Sequence, residues 1–203
     1  MTDYRSLDKS TERLFEEALQ KINAQLEIVR KSPETGLKLL TRFDELKTYT
    51  SLFVHKVTEL KGKSGSVIIL LVEKHLTIIE QKRSARIEKE IEEIEPVMIF
   101  SISQDIGRAY IRRETIADKI TDLLTKVDID FTEYPNFSRN YCLIGERPEH
   151  IRKYLPKRLL ESLEKIEGMT IEINGNWGLL RPEKNVNEKL LLLLMSIGHK
   201  MTE

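Results

Sequence analysis

Apolar residues recur along the first half of the chain at intervals of three and four. Phe15, Leu19, Ile22, Leu26 and Val29 form one such stripe, the seam of a helix packed against a neighbour. Ser32 then stands where an N-cap belongs and Pro33 at a first helical position. A second stripe runs through Leu39, Phe43, Leu46, Thr50, Phe53, Val57 and Leu60. So short a connection makes the two predicted helices antiparallel neighbours. Gly62-Lys63-Ser64-Gly65-Ser66 breaks the pattern and reads as a turn. Beyond it, Val67 to Val72 alone suits a buried strand, but the chain runs on without Gly or Pro and keeps apolar positions at Leu76, Ile79, Ile87, Ile91 and Ile94. That spacing predicts a third helix, with β-branched residues in a buried first turn. The alternative is a strand to about Ile79 and a shorter helix after it. Residues 1–95 are therefore expected to form an antiparallel, coiled-coil-like helical bundle.

Pro96 marks a boundary, because the residue before proline is pushed out of helical conformation. From there the period changes. Val97 to Ser103 reads as a strand, Gly107 as a turn, Ala109 to Arg113 as extended, and 114–127 as a helix with Ile116, Ile120, Leu123 and Leu124 inward. A strand is predicted near Asn140 to Gly145, then helical segments at "RPEHIRKYL" and "PKRLLESLEKIE". Met169, Ile171 and Ile173 alternate with polar residues before Asn174-Gly175, the pattern of a hairpin. The closing "NVNEKLLLLLMSIGHKM" reads as a helix apolar nearly all round, destined for burial. Residues 96–203 are thus expected to be a small α+β domain of about four strands, and the whole chain an α+β protein.

Composition narrows the function classes. Lys plus Arg equals Asp plus Glu at 33 each, so no bulk field draws the chain to nucleic acid or an anionic membrane, and no basic helix interleaved with aromatics suggests a nucleic-acid reader. The apolar runs are far shorter than the roughly 20 residues of a spanning helix, and no apolar leader follows Met1. A cytoplasmic location is expected, with peripheral membrane contact left open. Gly62-Lys63-Ser64 matches the end of a phosphate loop, but Val57 stands where its first glycine belongs. His55 and His75 have no partner at metal-ligand spacing, and neither a metal nor a cofactor is expected.

The densest stretch is Asp128 to Pro148, "DIDFTEYPNFSRNYCLIGERP". Asp128 and Asp130 lack a neighbouring histidine or nucleophile for acid–base work, so they are expected to cap turns or pair with Arg139. Cys142 alternates with Tyr141 and Leu143 along a strand and reads as a small buried hydrophobe. Phe131, Tyr134, Phe137 and Tyr141 are expected to form an aromatic knot. Among the cations, Arg112, Arg113, Arg139, Arg147, Arg152 and Lys153 are the candidates for anion or partner binding, if the fold brings them together.

The order Asp128-Ile129-Asp130-Phe131, Pro135, Phe137-Ser138-Arg139, Tyr141, Leu143, Gly145 resembles the soluble domain of a group of bacterial proteins, many carried on membrane-spanning helices, that share a D-I-D-F … P-x-F-S-R-x-Y-x-L-x-G pattern. The match runs over roughly residues 97 to 182. Here "YIRRE" replaces the group's usual proline before the glutamate, and no spanning helices precede the domain. The resemblance implies a domain type and no activity. With no catalytic set in the sequence, the expectation is a non-enzymatic binding or assembly module, the helical bundle serving self-association or a protein partner. Two alternatives stand beside it: an enzyme or sensor that holds a phosphorylated or acidic small molecule near Arg139, and reversible docking to a membrane protein or anionic lipid surface.

Overall fold

The computed structural model describes residues 7–22, 26–82, 85–113, 128–183 and 186–203, with backbone alone at 79–82 and 85–88. The described strands are β1 (Glu27–Arg30), β2 (Ser51–Gly62), β3 (Gly65–Lys82), β4 (Ala85–Ser101), β5 (Arg108–Arg113), β6 (Tyr141–Gly145), β7 (Met169–Asn174) and β8 (Trp177–Pro182). The described helices are α1 (Lys9–Ile22), α2 (Pro33–Leu40), α3 (Pro135–Asn140), α4 (Pro148–Tyr154), α5 (Lys157–Leu163) and α6 (Glu188–Thr202). A 3-10 turn, Glu45–Thr48, precedes β2. These eight strands join one antiparallel sheet in the order β1-β2-β3-β4-β8-β7-β5-β6.

This architecture corrects the expected N-terminal helical bundle and the count of about four strands. The first stripe holds as helix only to Ile22. The second predicted helix is replaced by short α2, the 3-10 turn and β2, and the third by the β3–β4 hairpin. The physical reason lies in two-sided burial. Val67, Ile69 and Leu71 enter one core while Leu70 and Val72 enter the other, so the apolar run that mimics a buried helix is a strand covered on both faces. Ile91 and Ile94, spaced by three, fall on opposite faces of β4. Pro96 lies inside β4, opposite Leu71. The β4–β8 ladder begins only at Met98, so Pro96 stands where the strand still has an open edge, the setting that tolerates proline. The sheet thus continues across residue 96 without a break. The Gly62–Ser66 turn connects β2 to β3, closing with Gly62 opposite Gly65.

In the second half, β5, β6, α4, α5, the β7–β8 hairpin and α6 lie where the sequence places strands, helices and hairpin. Gly175 (φ 65°) supplies the left-handed turn between β7 and β8. The helix expected at 114–127 lies outside the described residues. The larger core is built between one sheet face and α1, α3, α4, α5 and α6, with Phe15, Ile69, Met98, Phe137, Leu159 and Leu194 buried in it. Asn187 caps α6, its Oδ1 accepting from Leu190 N at 3.0 Å. The second core is smaller. There Leu40 of α2, Phe43 and Leu46 cover Val57, Leu70, Val97, Ile99 and Leu179. The apolar part of that cover lies over β2, β3, β4 and β8.

Candidate functional site

The Asp128 to Gly145 segment is a corner that finishes one end of the sheet. Strand β6 is an edge, and Asp128 closes it: its Oδ1 accepts from Leu143 N at 2.6 Å and from Ile129 N at 2.8 Å, while Ile129 N also donates to Leu143 O at 2.8 Å. Ser138 Oγ accepts from Phe131 N at 2.9 Å. Phe137 stacks on Tyr141 with centroids 5.4 Å apart, and Phe131 meets Phe137 and Tyr134 edge to face at 5.9 and 6.4 Å. The Tyr141 hydroxyl donates to Ile166 O at 2.7 Å. Burial pushes this phenol well above its ordinary value. Cys142 is buried, and Asp130 and Arg139 are exposed.

The six candidate cations do not gather. Arg112 and Arg113 are successive residues of β5 and point to opposite faces; Arg112 Nη1 donates to Arg113 O at 3.4 Å. Arg113 pairs with Glu167 at 3.9 Å, Arg147 with Asp105 at 3.5 Å and Arg152 with Glu149 at 3.1 Å. Lys153 lies 5.0 Å over the Tyr154 ring. Arg152 and Lys153 ride on α4, in the helical layer, whereas Arg112 faces the other side of the sheet.

Two clusters escape the sequence reading. His55 Nε2 lies 2.7 Å from Glu73 Oε2, and His75 Nε2 lies 2.6 Å from Glu73 Oε1. Burial alone works to raise the Glu73 carboxyl, but the hydrogen bonds of His75 and His55 outweigh it and hold the group below its usual range. Among the described residues no three His, Cys, Asp or Glu side chains are arranged to hold a metal; this trio is hydrogen-bonded to itself. Its signal is Glu73-Lys74-His75, since residues two apart share one face of a strand, but the neighbouring strand that brings His55 carries a helical period.

The second cluster lies beneath the α2 side of the sheet. Lys74, Glu95 and Arg181 share the phase of Val72, Val97 and Leu179, so their charges are buried. Lys74 Nζ lies 2.8 Å from Glu95 Oε2, and Arg181 Nε lies 2.8 Å from Glu95 Oε1. Both cations donate to the Tyr49 hydroxyl, at 3.1 and 3.2 Å. Arg181 Nη1 stands 2.7 Å from Glu45 Oε1, an ion contact off the line of a hydrogen bond. Desolvation works against both cations, yet Glu95 holds Lys74 and Arg181 above their ordinary values. Desolvation raises Glu45, with Arg181 opposing. The signal for this network is a Lys and an Arg interrupting otherwise apolar strands.

Glu45 also borders a groove of about 670 Å³ on this face. The 3-10 turn forms one wall and β5, β6 and β7 the floor, with Tyr110 and Ile144 as its apolar side chains. Ile144 is 40% exposed. Glu172 of β7 fastens the wall: its two carboxylate oxygens accept from Asp44 N at 2.7 Å and Glu45 N at 2.9 Å. Asn174 Nδ2 donates to Arg42 O at 2.8 Å. Arg108 meets Asp44 at 3.2 Å, and Glu146 Oε2 accepts from Arg108 N at 3.0 Å. The volume and the apolar floor are those of a small binding site.

No family model matches the chain, and no curated protein does. Among solved structures it is similar to the crystal structure of the mycobacterial trehalose monomycolate transport factor A, TtfA, with a TM-score of 0.52 over 96% of this chain and 94% of that one, at 9% sequence identity. At that identity the likeness is one of fold.

Proposed function

We propose that this chain is a non-enzymatic binding module of the cytoplasm whose recognition surface is the groove over β5, β6 and β7. The observation that carries this reading is the groove beside the 3-10 turn: among the described residues that turn reaches β7 through Glu172 and Tyr110 through Glu45, and Ile144 beyond it is 40% exposed. An exposed apolar side chain in a groove beside a fixed wall suits a partner or ligand. The carboxylates there serve structure already, Glu172 on two amides and Asp44 on Arg108, which favours recognition over proton transfer. A phosphate-binding reading around Arg139 draws on cations spread over several faces and largely paired with acids, so the groove is preferred. Self-association through a helical bundle is dropped along with the bundle. TtfA, named a transport factor, shares the fold, in keeping with a binding role; the groove carries the proposal.

Native mass spectrometry of protein purified gently from its own host tests it. A discrete bound mass on the wild type that is lost from Ile144→Arg supports the groove as the binding surface. Bare protein in both samples, or a mass that the variant retains in full, overturns it.

A further inference from the structure

We infer that the groove takes an uncharged small molecule, an apolar body carrying one hydroxyl or amide N–H. This rests on the groove being the recognition surface and narrows what that surface accepts. Its first support is the absence of spare charge. Asp44 meets Lys47 at 2.5 Å and Arg108 at 3.2 Å. Both Glu172 oxygens accept from the amides of Asp44 and Glu45. Arg112 stands two residues on from Tyr110 in β5 and so shares its face. Asp44, Glu146 and Glu172 are thus matched by Lys47, Arg108 and Arg112. Deeper in, Lys74 and Arg181 offset Glu95 and Glu45. An ion of either sign entering the groove gives up hydration without finding a counter-charge to replace it.

The second support is size and shape. The groove's volume of about 670 Å³ lies within the range of small-molecule sites. Its apolar floor is short, Tyr110 and Ile144 standing opposite one another on β5 and β6. One ring, or a few methylenes, covers that pair. Glu146 stands two residues beyond Ile144 and is exposed. Its Oε2 accepts from Arg108 N at 3.0 Å, and among the described residues no donor meets its Oε1. A hydroxyl or amide N–H donated there leaves the body of the ligand over Ile144 and Tyr110, and it adds a hydrogen bond without adding charge.

Four probes on one skeleton separate the outcomes: 3-phenylpropan-1-ol, its methyl ether, 3-phenylpropanoate and 3-phenylpropylamine. Each is titrated into isotope-labelled full-length protein, and the backbone amide resonances of Tyr110, Ile144 and Glu172 are followed. The alcohol is expected to move those resonances, to bind severalfold more tightly than the other three, and to keep its affinity as salt is raised. Glu146→Ala should lower the alcohol to the affinity of the methyl ether while leaving the ether unchanged. Either ion binding as tightly as the alcohol, or alcohol binding that salt abolishes, overturns the uncharged occupant and leaves the groove reading standing. Equal binding of alcohol and ether, or an alcohol indifferent to Glu146→Ala, overturns the donor to Glu146. If no probe moves a groove resonance at high millimolar concentration, the inference falls. The groove reading is then decided separately, by whether Ile144→Arg loses the mass bound to the wild type.

Discussion

Asp128 and Asp130 stand two residues apart in one segment, yet they do unlike things. Asp128 satisfies the amide of buried Leu143 at a sheet edge, while Asp130 is solvent-exposed. Asp128→Ala should therefore cost about 1–3 kcal/mol by leaving that amide unpaired, and Asp130→Ala should stay within about 0.5 kcal/mol, both read from urea unfolding. Arg181 is a harder case for sequence reasoning, because only the fold reveals Glu95, Glu45 and Tyr49 around it. Arg181→Met should cost about 3 kcal/mol, the scale for breaking a buried pair. The double variant Arg181→Met/Glu95→Gln should cost less than the sum of the two single changes. Glu73 gives a pH signature. Its carboxyl is held below the ordinary range in the folded state, so its contribution is present above about pH 4.5 and fades as pH falls through the folded value. The stability gap between wild type and Glu73→Gln should shrink on acidification below that point; a gap constant from pH 7 to pH 3 contradicts the assignment. Of these residues the sequence exposes Asp128 as a turn-capping candidate. Lys74, Glu95 and Arg181 stay hidden because a charge in an apolar run is legible, but its partner on another strand is not.

At the scale of elements, legibility tracks how local the signal is. The β7–β8 hairpin carries its own turn chemistry at Asn174-Gly175 and its own alternation, and α6 its cap and apolar run. Both are visible in the chain. Residues 51 to 95 carry no such punctuation apart from one turn, and their apolar spacing satisfies a helical period as well as a two-faced strand. What decides between them is α2 and the 3-10 turn lying on one face and α1 and α6 on the other, a fact of tertiary packing. The pairing of β4 with β8 brings its own close contact: a Cβ at Gly178 overlaps the Phe100 ring. Gly178→Ala should thus cost about 1–3 kcal/mol as overpacking, and Gly178→Ala combined with Phe100→Leu should recover part of that loss in thermal melts.

For the whole molecule, the consequence of the uneven second layer is, among the described residues, a groove at its margin. The groove was not legible in the sequence, since its wall (44–45), floor (109–110, 144) and fastening residue (172) lie in four separate stretches. The aromatic segment was legible as a corner because all four rings sit within eleven positions. No described helix is long and apolar enough to cross a membrane. Ile144→Arg, the variant that tests the groove, should leave stability within about 0.5 kcal/mol, as expected of an exposed position away from the core; a large loss by urea unfolding makes Ile144 a structural residue and not a contact one.

The strand order has a temporal meaning as well. β1 to β4 pair in succession, and β5 to β8 pair only among themselves apart from one seam, so each set assembles from its own contacts. The two sets meet along four residue pairs, Met98 to Ser101 against Trp177 to Leu180, nearly eighty positions apart in the chain. The larger core draws on both sets, so it is complete only when that seam closes. Closing it is the entropically expensive step and sets the refolding barrier. Truncations along the seam, such as Ile99→Val or Leu180→Ala, should therefore slow refolding nearly in proportion to the stability they remove, whereas Val67→Ala in the local β3–β4 pair should act chiefly on the unfolding rate.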